Sequence, residues 1–166
     1  MIKSLQITEY SPENKNKFYV FCEKMWIQLG RPWDPTEYQK DLLDITKNYQ
    51  TNGGNFWLAW YKGSIVGCSG LKALNINDSE FVRFYVLSEY RGRKIGAGLI
   101  HTAIHYSLEN NFKRFLIDTD SKKSTRAIEI FKNIGFVEIK PYKNTPFSDF
   151  FMNLNLQKFK CEFCNL

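Results

Sequence analysis

The stretch that decides the fold is Arg91-Gly92-Arg93-Lys94-Ile95-Gly96-Ala97-Gly98, which joins a strand-like segment, Glu80–Leu87, to an apolar stripe of helical spacing. The first N–H groups of a helix have no intrahelical acceptor and point outward with the positive end of the helix dipole. Glycines let backbone amides approach an anion, and basic side chains add positive charge around it. The segment therefore predicts a pyrophosphate-binding site at the start of a helix.

Two other phosphate-binding motifs fit this segment less well. A P-loop requires Gly-Lys followed by Ser or Thr, whereas Leu99 and Ile100 follow Gly98. The dinucleotide fingerprint G-x-G-x-x-G is not completed either, because the same apolar residues follow the Gly-Ala-Gly run. On the segment alone, one alternative stays open: a helix start whose glycines only aid packing.

Hydrophobic periodicity outside this segment predicts the other elements. A helix is expected over Phe18–Leu29, a second from about Thr36 to Tyr49, and a hairpin turn at Lys62-Gly63 between two strands. After the central segment come the strand Arg114–Thr119, the helix Thr125–Ile134 and the strands Phe136–Ile139 and Phe150–Leu156. The order is strand, two helices, three strands, helix, strand, helix, two strands. It indicates an α/β (α+β) fold with a mixed central sheet and helices on its faces.

Length and composition indicate a globular protein. The chain has 166 residues, of which 43% are hydrophobic, enough for one substantial core. We expect a single domain over residues 1–157 and a C-terminal tail over residues 158–166. No apolar run approaches the ~20 residues that a membrane span requires, and the N-terminus lacks the apolar stretch of a secretory signal. A cytoplasmic protein without a membrane partner is the expectation.

The four cysteines do not predict a metal site. Cys22 and Cys68 lie in apolar patterns that are typical of buried thiols. Cys161 and Cys164 form a lone C-x-x-C, and zinc requires four ligands, which no second pair supplies. No metal is therefore expected, and a redox or metal role for this pair stays a minor alternative.

The net charge of +6 favours an anionic partner. Two basic groups stand out, the one at Arg91–Lys94 and a second made of Lys122, Lys123 and Arg126. A nucleic-acid surface interleaves basic and aromatic side chains on one face. Because these groups lie at loop–helix junctions instead, a phosphorylated small molecule is favoured and no nucleic-acid partner is expected.

Three segments together resemble the GNAT family of acyl-CoA N-acetyltransferases. The run from Arg93 to Gly98 matches the family signature [Q/R]-x-x-G-x-[G/A] at a strand–helix junction. The strand Glu80–Val86 looks like the family's cofactor strand, and Ala127–Phe136 resembles its A-x-x-[L/I]-[Y/F]-x-x-x-G-F helix and turn. The order of elements also matches over nearly the whole chain.

The resemblance implies that acetyl-CoA lies in a V between Glu80–Leu87 and Arg114–Thr119, which a bulge splays apart. The pantetheine arm would pair with the backbone of Phe84–Val86, a form of strand addition. The implied cofactor contacts are Phe84, Tyr85, Val86, Arg91, Gly92, Arg93, Lys94, Ile95, Gly96, Ala97, Gly98, Ser124 and Phe131. The second basic group either meets the nucleotide phosphates or forms a solvated face.

The resemblance also implies direct attack of an amine on the thioester, without an acyl-enzyme. The backbone N–H of Val86 is the candidate donor to the carbonyl oxygen. Glu80 is the candidate base, with a solvated strand-edge glutamate as the alternative. Arg83 faces away from Glu80 unless a bulge intervenes, and it either contacts a substrate carboxylate or serves as a structural ion-pair partner.

Two positions depart from the family pattern. Phe131 stands where many relatives have a tyrosine that protonates the leaving thiolate, and Ser124 stands where relatives often have an asparagine. Either the thiolate leaves unassisted, or another group such as Tyr142 or Tyr85 supplies the proton. A thiol has an ordinary pKa of about 8.5, so water is an adequate acid.

The acceptor is expected to be a primary amine of a small molecule or peptide. In the family, the loop after the first helix shapes the acceptor site, so Arg31 and Trp33 are candidate substrate contacts together with Arg83. Trp33 could equally be a packing anchor. The segment from Tyr142 to Phe147 is the candidate for the other wall. The oligomeric state stays open between monomer and homodimer, and a non-catalytic acyl-CoA sensor is the alternative function.

Overall fold

The computed structural model of the chain describes residues 5–159, and the secondary structure follows the predicted order with one exception. The strands are β1 Leu5–Glu9, β2 Asn55–Tyr61, β3 Ser64–Ala73, β4 Asp78–Val86, β5 Arg114–Thr119, β6 Val137–Glu138 and β7 Phe150–Asn155. The α-helices are α1 Lys15–Gln28, α2 Ile45–Asn48, α3 Ile95–Glu109 and α4 Thr125–Ile134. Short 3-10 turns lie at Pro12–Asn14, Lys40–Leu42, Gln50–Asn52 and Ser88–Tyr90. The expectations for Cys161 and Cys164 fall outside the described residues.

The exception is the second predicted helix, which was too long. Instead of one helix from about Thr36 to Tyr49, the chain forms a 3-10 turn and the single-turn helix α2. The carboxylate of Asp34 accepts the backbone N–H of Thr36, and that of Asp44 accepts the N–H of Lys47. Aspartate side chains that bond nearby N–H groups favour caps and turns over continuous helix. Asp34 therefore closes a turn at the start of this segment, and Asp44 caps the separate single-turn helix α2 within it.

The strand order is β1-β2-β3-β4-β5-β7-β6, a seven-stranded sheet within the described residues. β4 and β5 are parallel, whereas the β1–β2, β2–β3, β5–β7 and β6–β7 pairs are antiparallel. The mixed sheet with helices confirms the predicted α/β (α+β) class.

The described residues divide into two compact units, one of residues 5–73 with 81–106, the other of residues 74–80 with 107–159. β4 contributes to both, with Asp78–Glu80 in the second unit and Phe81–Val86 in the first. The expectation of a single domain over residues 1–157 stays a prediction.

The first unit is held by an aromatic core beneath α1. The helix buries the face that the sequence pattern predicted: Phe18, Phe21, Cys22, Met25 and Trp26. The ring of Phe56 on β2 meets Phe18 and Tyr49 edge to face, at centroid distances of 5.5 and 5.1 Å. Such pairs add about 0.5–1.5 kcal/mol to the burial of the rings. The core therefore fixes α1 and the segment around α2 to the sheet.

The predicted hairpin between β2 and β3 is confirmed. Lys62 and Gly63 have φ of 47° and 78°, and the flanking residues Tyr61 and Ser64 are paired. Two successive positive φ values are what a two-residue type I′ turn requires.

In the second unit, β5 is the central strand. It pairs with β7 from Arg114 to Thr119, and its Phe115, Leu116 and Ile117 are buried. Helix α4 ends at Gly135, which has φ of 110°, a conformation that favours glycine. Phe136 then packs its ring 5.7 Å from that of Phe115.

Candidate active site

The loop before α3 has the shape of an anion site. After β4 the chain makes the 3-10 turn Ser88–Tyr90, and α3 begins at Ile95. Gly92 and Lys94 have φ of 77° and 63°, and the side chains from Arg91 to Lys94 are exposed. The N–H of Gly98 donates to the carbonyl of Lys94 at 3.0 Å. The N–H groups of the three residues between them have no intrahelical acceptor and are the ones available to an anion.

The three glycines of this loop serve three different purposes. Gly92 forms a turn at positive φ with open space around it. A Cβ at Gly96 would lie 3.1 Å from the Phe84 ring, at the exposed start of the helix. A Cβ at Gly98 would lie 2.8 Å from Cδ1 of Ile7, and its N–H is already bonded within the helix. These contacts favour the packing alternative at Gly98, and its contact with the cofactor stays a prediction.

Two of the three basic side chains of this loop, Arg91 and Arg93, contact other residues of the protein. Arg91 Nε donates to the carbonyl of Val86 at 3.1 Å. The Arg93 guanidinium lies 5.5 and 6.0 Å from the ring centroids of Tyr90 and Tyr61, within cation–π range. Because they are anchored, these cations border the helix start in defined positions.

Strand β4 contains a bulge. The rings of Phe81 and Phe84 lie 5.2 Å apart, although residues three apart on a regular strand face opposite sides. Val82 packs on the core beneath α1, and Arg83, next to it, points to Asp41 on the same side. Arg83 has φ of 53°, which costs a residue with a Cβ about 1–2 kcal/mol. The side chains of β4 therefore do not alternate regularly, and the expectation that Arg83 faces away from Glu80, which assumed regular alternation, does not apply.

Arg83 is engaged in an ion pair with Asp41, which sequence reasoning had not singled out. Nη2 and Nε of Arg83 lie 2.6 and 2.9 Å from the two carboxylate oxygens, and the Tyr49 hydroxyl donates to the same carboxylate. Burial alone would raise the pKa of Asp41, but the hydrogen bonds and charge of Arg83 outweigh it and lower the pKa. The arrangement favours the structural interpretation of Arg83 over direct contact with a substrate carboxylate.

In the second unit, Glu80 lies in a network of charged and polar groups. It is 5% exposed, and its Oε1 accepts hydrogen bonds from the Tyr142 hydroxyl at 2.7 Å and from Lys143 Nζ at 2.5 Å. Lys143 Nζ also lies 2.8 Å from Asp118, which accepts a hydrogen bond from Ser148. The solvated-edge alternative for Glu80 is therefore wrong, because the carboxylate is buried.

Two residues of this network, Tyr142 and Lys143, have shifted pKa values. Burial and the hydrogen bond with Glu80 raise the pKa of Tyr142, so its phenol stays protonated at neutral pH. Burial alone would lower the pKa of Lys143, but its bonds to Asp118 and Glu80 raise it, so it stays an ammonium ion. Sequence reasoning did not single out Lys143, which lies in the polar loop before β7, or Asp118, which lies near the end of β5.

The other proposed cofactor contacts lie at α4. The Ser124 hydroxyl precedes the helix and accepts a hydrogen bond from Thr119 Oγ1 at 2.7 Å. Phe131 is 5% exposed and packs its ring 5.1 Å from Phe136. Lys123 pairs with Asp120 at 3.3 Å on an exposed face, as the solvated alternative predicts. Cofactor contacts by these residues stay predictions.

The candidate acceptor residues differ in character. Trp33 is half-buried, with its ring 5.2 Å from Trp26 and 5.3 Å from Tyr19, which favours the packing-anchor interpretation. Arg31 is exposed. Tyr85 is half-buried with its ring 5.0 Å from Trp26, and burial raises the pKa of its hydroxyl. In the other candidate wall, Phe147 is 78% exposed.

An open cleft of about 570 Å³ lies elsewhere in the second unit, at the start of β4 and β5. Its charged residues include Asp78 and Arg114, which form their own ion pair at 2.5 Å. The ion pair satisfies the charges of these two residues.

Within residues 5–159, no group of three or more histidine, cysteine, aspartate or glutamate side chains is placed to hold a metal ion. No helix in this part of the chain is long and apolar enough to cross a membrane.

Comparison with known proteins agrees with this description of the fold. Residues 18–136 match the acetyltransferase (GNAT) family. A probable N-acetyltransferase camello of Xenopus tropicalis is 31% identical over 110 residues, covering 62% of this chain and 50% of that protein. An uncharacterized N-acetyltransferase of Dictyostelium discoideum is 41% identical over 70 residues, covering 42% of this chain and 32% of that protein. This chain thus matches half or less of these two relatives' lengths.

Solved structures match over almost the whole chain. A GNAT-family acetyltransferase from Staphylococcus aureus has a TM-score of 0.81 at 30% identity and covers 92% of this chain and 99% of its own. An acetyltransferase named paia from Thermoplasma acidophilum, solved in complex with coenzyme A, has a TM-score of 0.71 at 22% identity. Its coverage is 92% of this chain and 99% of its own.

A mixed sheet with a bulged central strand, followed by a glycine-containing basic loop and a helix, defines an acyltransferase fold. The chain belongs to the GNAT acetyltransferase family. Acetyl transfer from acetyl-CoA is the general reaction of that family.

Proposed function

We propose that this chain is an acetyl-CoA-dependent N-acetyltransferase that acetylates a primary amine of a small molecule or peptide by direct attack. The observation that carries the proposal is the start of α3, where unpaired N–H groups meet exposed basic side chains directly after the bulged strand β4. This combination fits a pyrophosphate linked to an extended arm.

The first unit supplies the cofactor-binding groups of the proposal. The N–H groups of Ile95, Gly96 and Ala97 bind the pyrophosphate, with Arg91 and Arg93 alongside. The backbone of Phe84–Val86 pairs with the pantetheine arm, and the Val86 N–H donates to the carbonyl oxygen as negative charge develops there. The coenzyme A complex of the Thermoplasma acidophilum relative supports the choice of ligand.

The second unit supplies the proton-handling groups. Acetyl-CoA contributes the thioester; the amine nitrogen bonds to its carbonyl carbon, the C–S bond breaks and the thiolate leaves. Glu80 is the proposed acceptor of the amine proton, directly or through water. Tyr142 is the proposed proton donor to the leaving thiolate, since its phenol stays protonated. Glu80 would thus take one proton from the amine, and Tyr142 would give one proton to the thiolate, so the two transfers balance.

The test combines binding and turnover. Acetyl-CoA at a hundredfold excess over its Kd should stabilise the protein by about 2.7 kcal/mol, which raises Tm by roughly 5–11 °C for a chain of this size. Incubation with pooled primary amines should release CoA and yield acetylated amine. A protein that binds acetyl-CoA but releases no CoA with any amine would instead be the acyl-CoA sensor. No Tm shift at millimolar acetyl-CoA would overturn the proposal.

A further inference from the structure

In β4, the backbone at Arg83 adopts a positive φ, which is unfavourable for a residue with a Cβ. Arg83 has φ of 53° in the middle of the strand, whereas glycine is the residue that takes such values without steric cost. We propose that Asp41 is a positioning residue for acetyl transfer: its ion pair with Arg83 holds the bulge from which Phe84–Val86 present their peptide groups to acetyl-CoA. The part that concerns acetyl-CoA rests on the proposed function.

The side chain of Arg83 is fixed in both position and orientation. Its guanidinium is planar, and two parallel contacts, from Nε and Nη2 to the two oxygens of Asp41, define its plane as well as its place. Asp41 is held in turn by the hydroxyl of Tyr49, a residue with no exposed surface. The anchor of the bulge is therefore tied to the core of the first unit.

A further contact fixes the backbone of Arg83 directly. The thiol of Cys68 on β3 donates to the Arg83 carbonyl at 3.3 Å. Cys68 is 1% exposed, and burial raises the pKa of its thiol, which therefore keeps its proton. Both ends of the residue, side chain and carbonyl, are held while φ stays positive.

The bulge determines where the following side chains point. The Phe84 ring lies next to Gly96 in the first turn of α3, and the Tyr85 ring lies 5.0 Å from Trp26 on α1. A one-residue change in the pleat turns every following side chain to the other face. Relaxation at Arg83 would thus move both rings, and it would rotate the peptide groups of Phe84–Val86 away from their present directions.

A matched pair of variants isolates this role. Asp41→Asn/Arg83→Ala and Asp41→Asn/Arg83→Gly both lack the ion pair and differ only in the Cβ at position 83. If the ion pair serves to hold a positive φ at position 83, the ion pair is not needed when that residue is glycine, which adopts a positive φ without strain. It is still needed when the residue is alanine. We expect acetyl-CoA Kd to rise about tenfold in Asp41→Asn and in the alanine double variant, the factor that corresponds to the strain. In the glycine double variant, Kd should stay within about threefold of wild type.

The control is a second ion pair of the same geometry. Nε and Nη2 of Arg114 donate to the two carboxylate oxygens of Asp78, at the start of β4, at 2.7 and 2.5 Å. Asp78→Asn should lower Tm, as Asp41→Asn does, but leave acetyl-CoA Kd unchanged. If Asp41→Asn also changes only Tm, its role is merely structural and the proposal is overturned.

Hydrogen exchange of the Phe84–Val86 amides in the ligand-free proteins gives a readout that needs no cofactor. Exchange should accelerate in Asp41→Asn and in the alanine double variant, and it should return to the wild-type rate in the glycine double variant. Equal exchange in the two double variants would overturn the role of Asp41, whatever acetyl-CoA does. Failure of the wild type to bind acetyl-CoA would overturn the proposed function and the acetyl-CoA part of this inference. The exchange result would still show whether the ion pair between Asp41 and Arg83 holds the bulge in β4.

Discussion

The hydroxyl of Tyr142 donates a hydrogen bond to Oε1 of Glu80 at 2.7 Å. This contact joins the candidate proton donor to the candidate base, although 62 residues separate them in the sequence. Lys143 reaches the same oxygen, so the carboxylate is held by one neutral and one cationic donor. Acid and base are therefore parts of one network, and their substitution effects are expected to be coupled.

Glu80→Gln should slow acetyl transfer by about 10²–10⁴ at neutral pH, the usual contribution of a general base. The loss should shrink at high pH, because the amine then loses its proton in bulk water. The measurement is kcat across pH 6.5–9.5 (about the usable range) with acetyl-CoA Kd as the control, which should not change. A rate equal to that of the wild type at neutral pH would remove Glu80 from the mechanism.

Glu80 also balances the charge of Lys143, and the double variant Glu80→Gln/Lys143→Met separates this effect from base catalysis. A base role predicts that the double variant stays slow. A purely electrostatic role predicts recovery, because the double variant removes the ammonium ion that has lost Glu80 and keeps only Asp118 as a carboxylate partner.

Tyr142→Phe should lower kcat by a factor that does not vary between pH 7 and pH 9. The pKa of Tyr142 is raised from the ordinary 10.0, so its phenol keeps its proton throughout this interval. A general acid typically contributes about 10²-fold or more, and KM for acetyl-CoA should change little. An effect that disappears between these pH values would contradict the raised pKa, and no effect at all would show that the thiolate leaves unassisted.

Gly96→Glu should abolish acetyl-CoA binding in a folded protein. It places a carboxylate among the N–H groups at the start of α3, and its Cβ crowds the Phe84 ring. The matched control is Gly98→Ala, whose Cβ meets only the mobile end of the Ile7 side chain. That substitution should alter stability by no more than about 1 kcal/mol and leave Kd unchanged. Calorimetric titration with acetyl-CoA measures both, and retained binding by Gly96→Glu would place the anion site elsewhere.

Phe131→Tyr tests the absent family tyrosine. Phe131 is 5% exposed, so a new hydroxyl enters a buried site and must find a partner. We expect at most a few-fold change in kcat, since Tyr142 already serves as the proposed proton donor and a thiol has an ordinary pKa of only about 8.5. Phe131→Leu measures the loss of ring packing separately. A gain of about a hundredfold would show that thiolate departure limits turnover and that Phe131 marks an impaired catalyst.

Features encoded by neighbouring residues were predictable. The buried face of α1 follows from apolar residues at helical spacing, and the β2–β3 hairpin follows from Lys62-Gly63. The loop before α3 combines a strand, glycines and basic residues within one short stretch, which is why its shape could be read directly. A local pattern suffices wherever the free energy depends on residues within a turn or two of each other.

The tertiary structure alone decided how the charged residues are paired. Asp41 and Arg83 lie 42 residues apart, and Lys143 reaches Glu80 across 63 residues. Asp41 lies in the 3-10 turn Lys40–Leu42, inside the segment that the sequence predicted as one helix, and its partner is on β4. A buried charge must be paired, but its sequence neighbours do not say with which group. Spacing therefore determined the elements and the loop before α3, whereas packing determined the partners of Arg83 and Glu80.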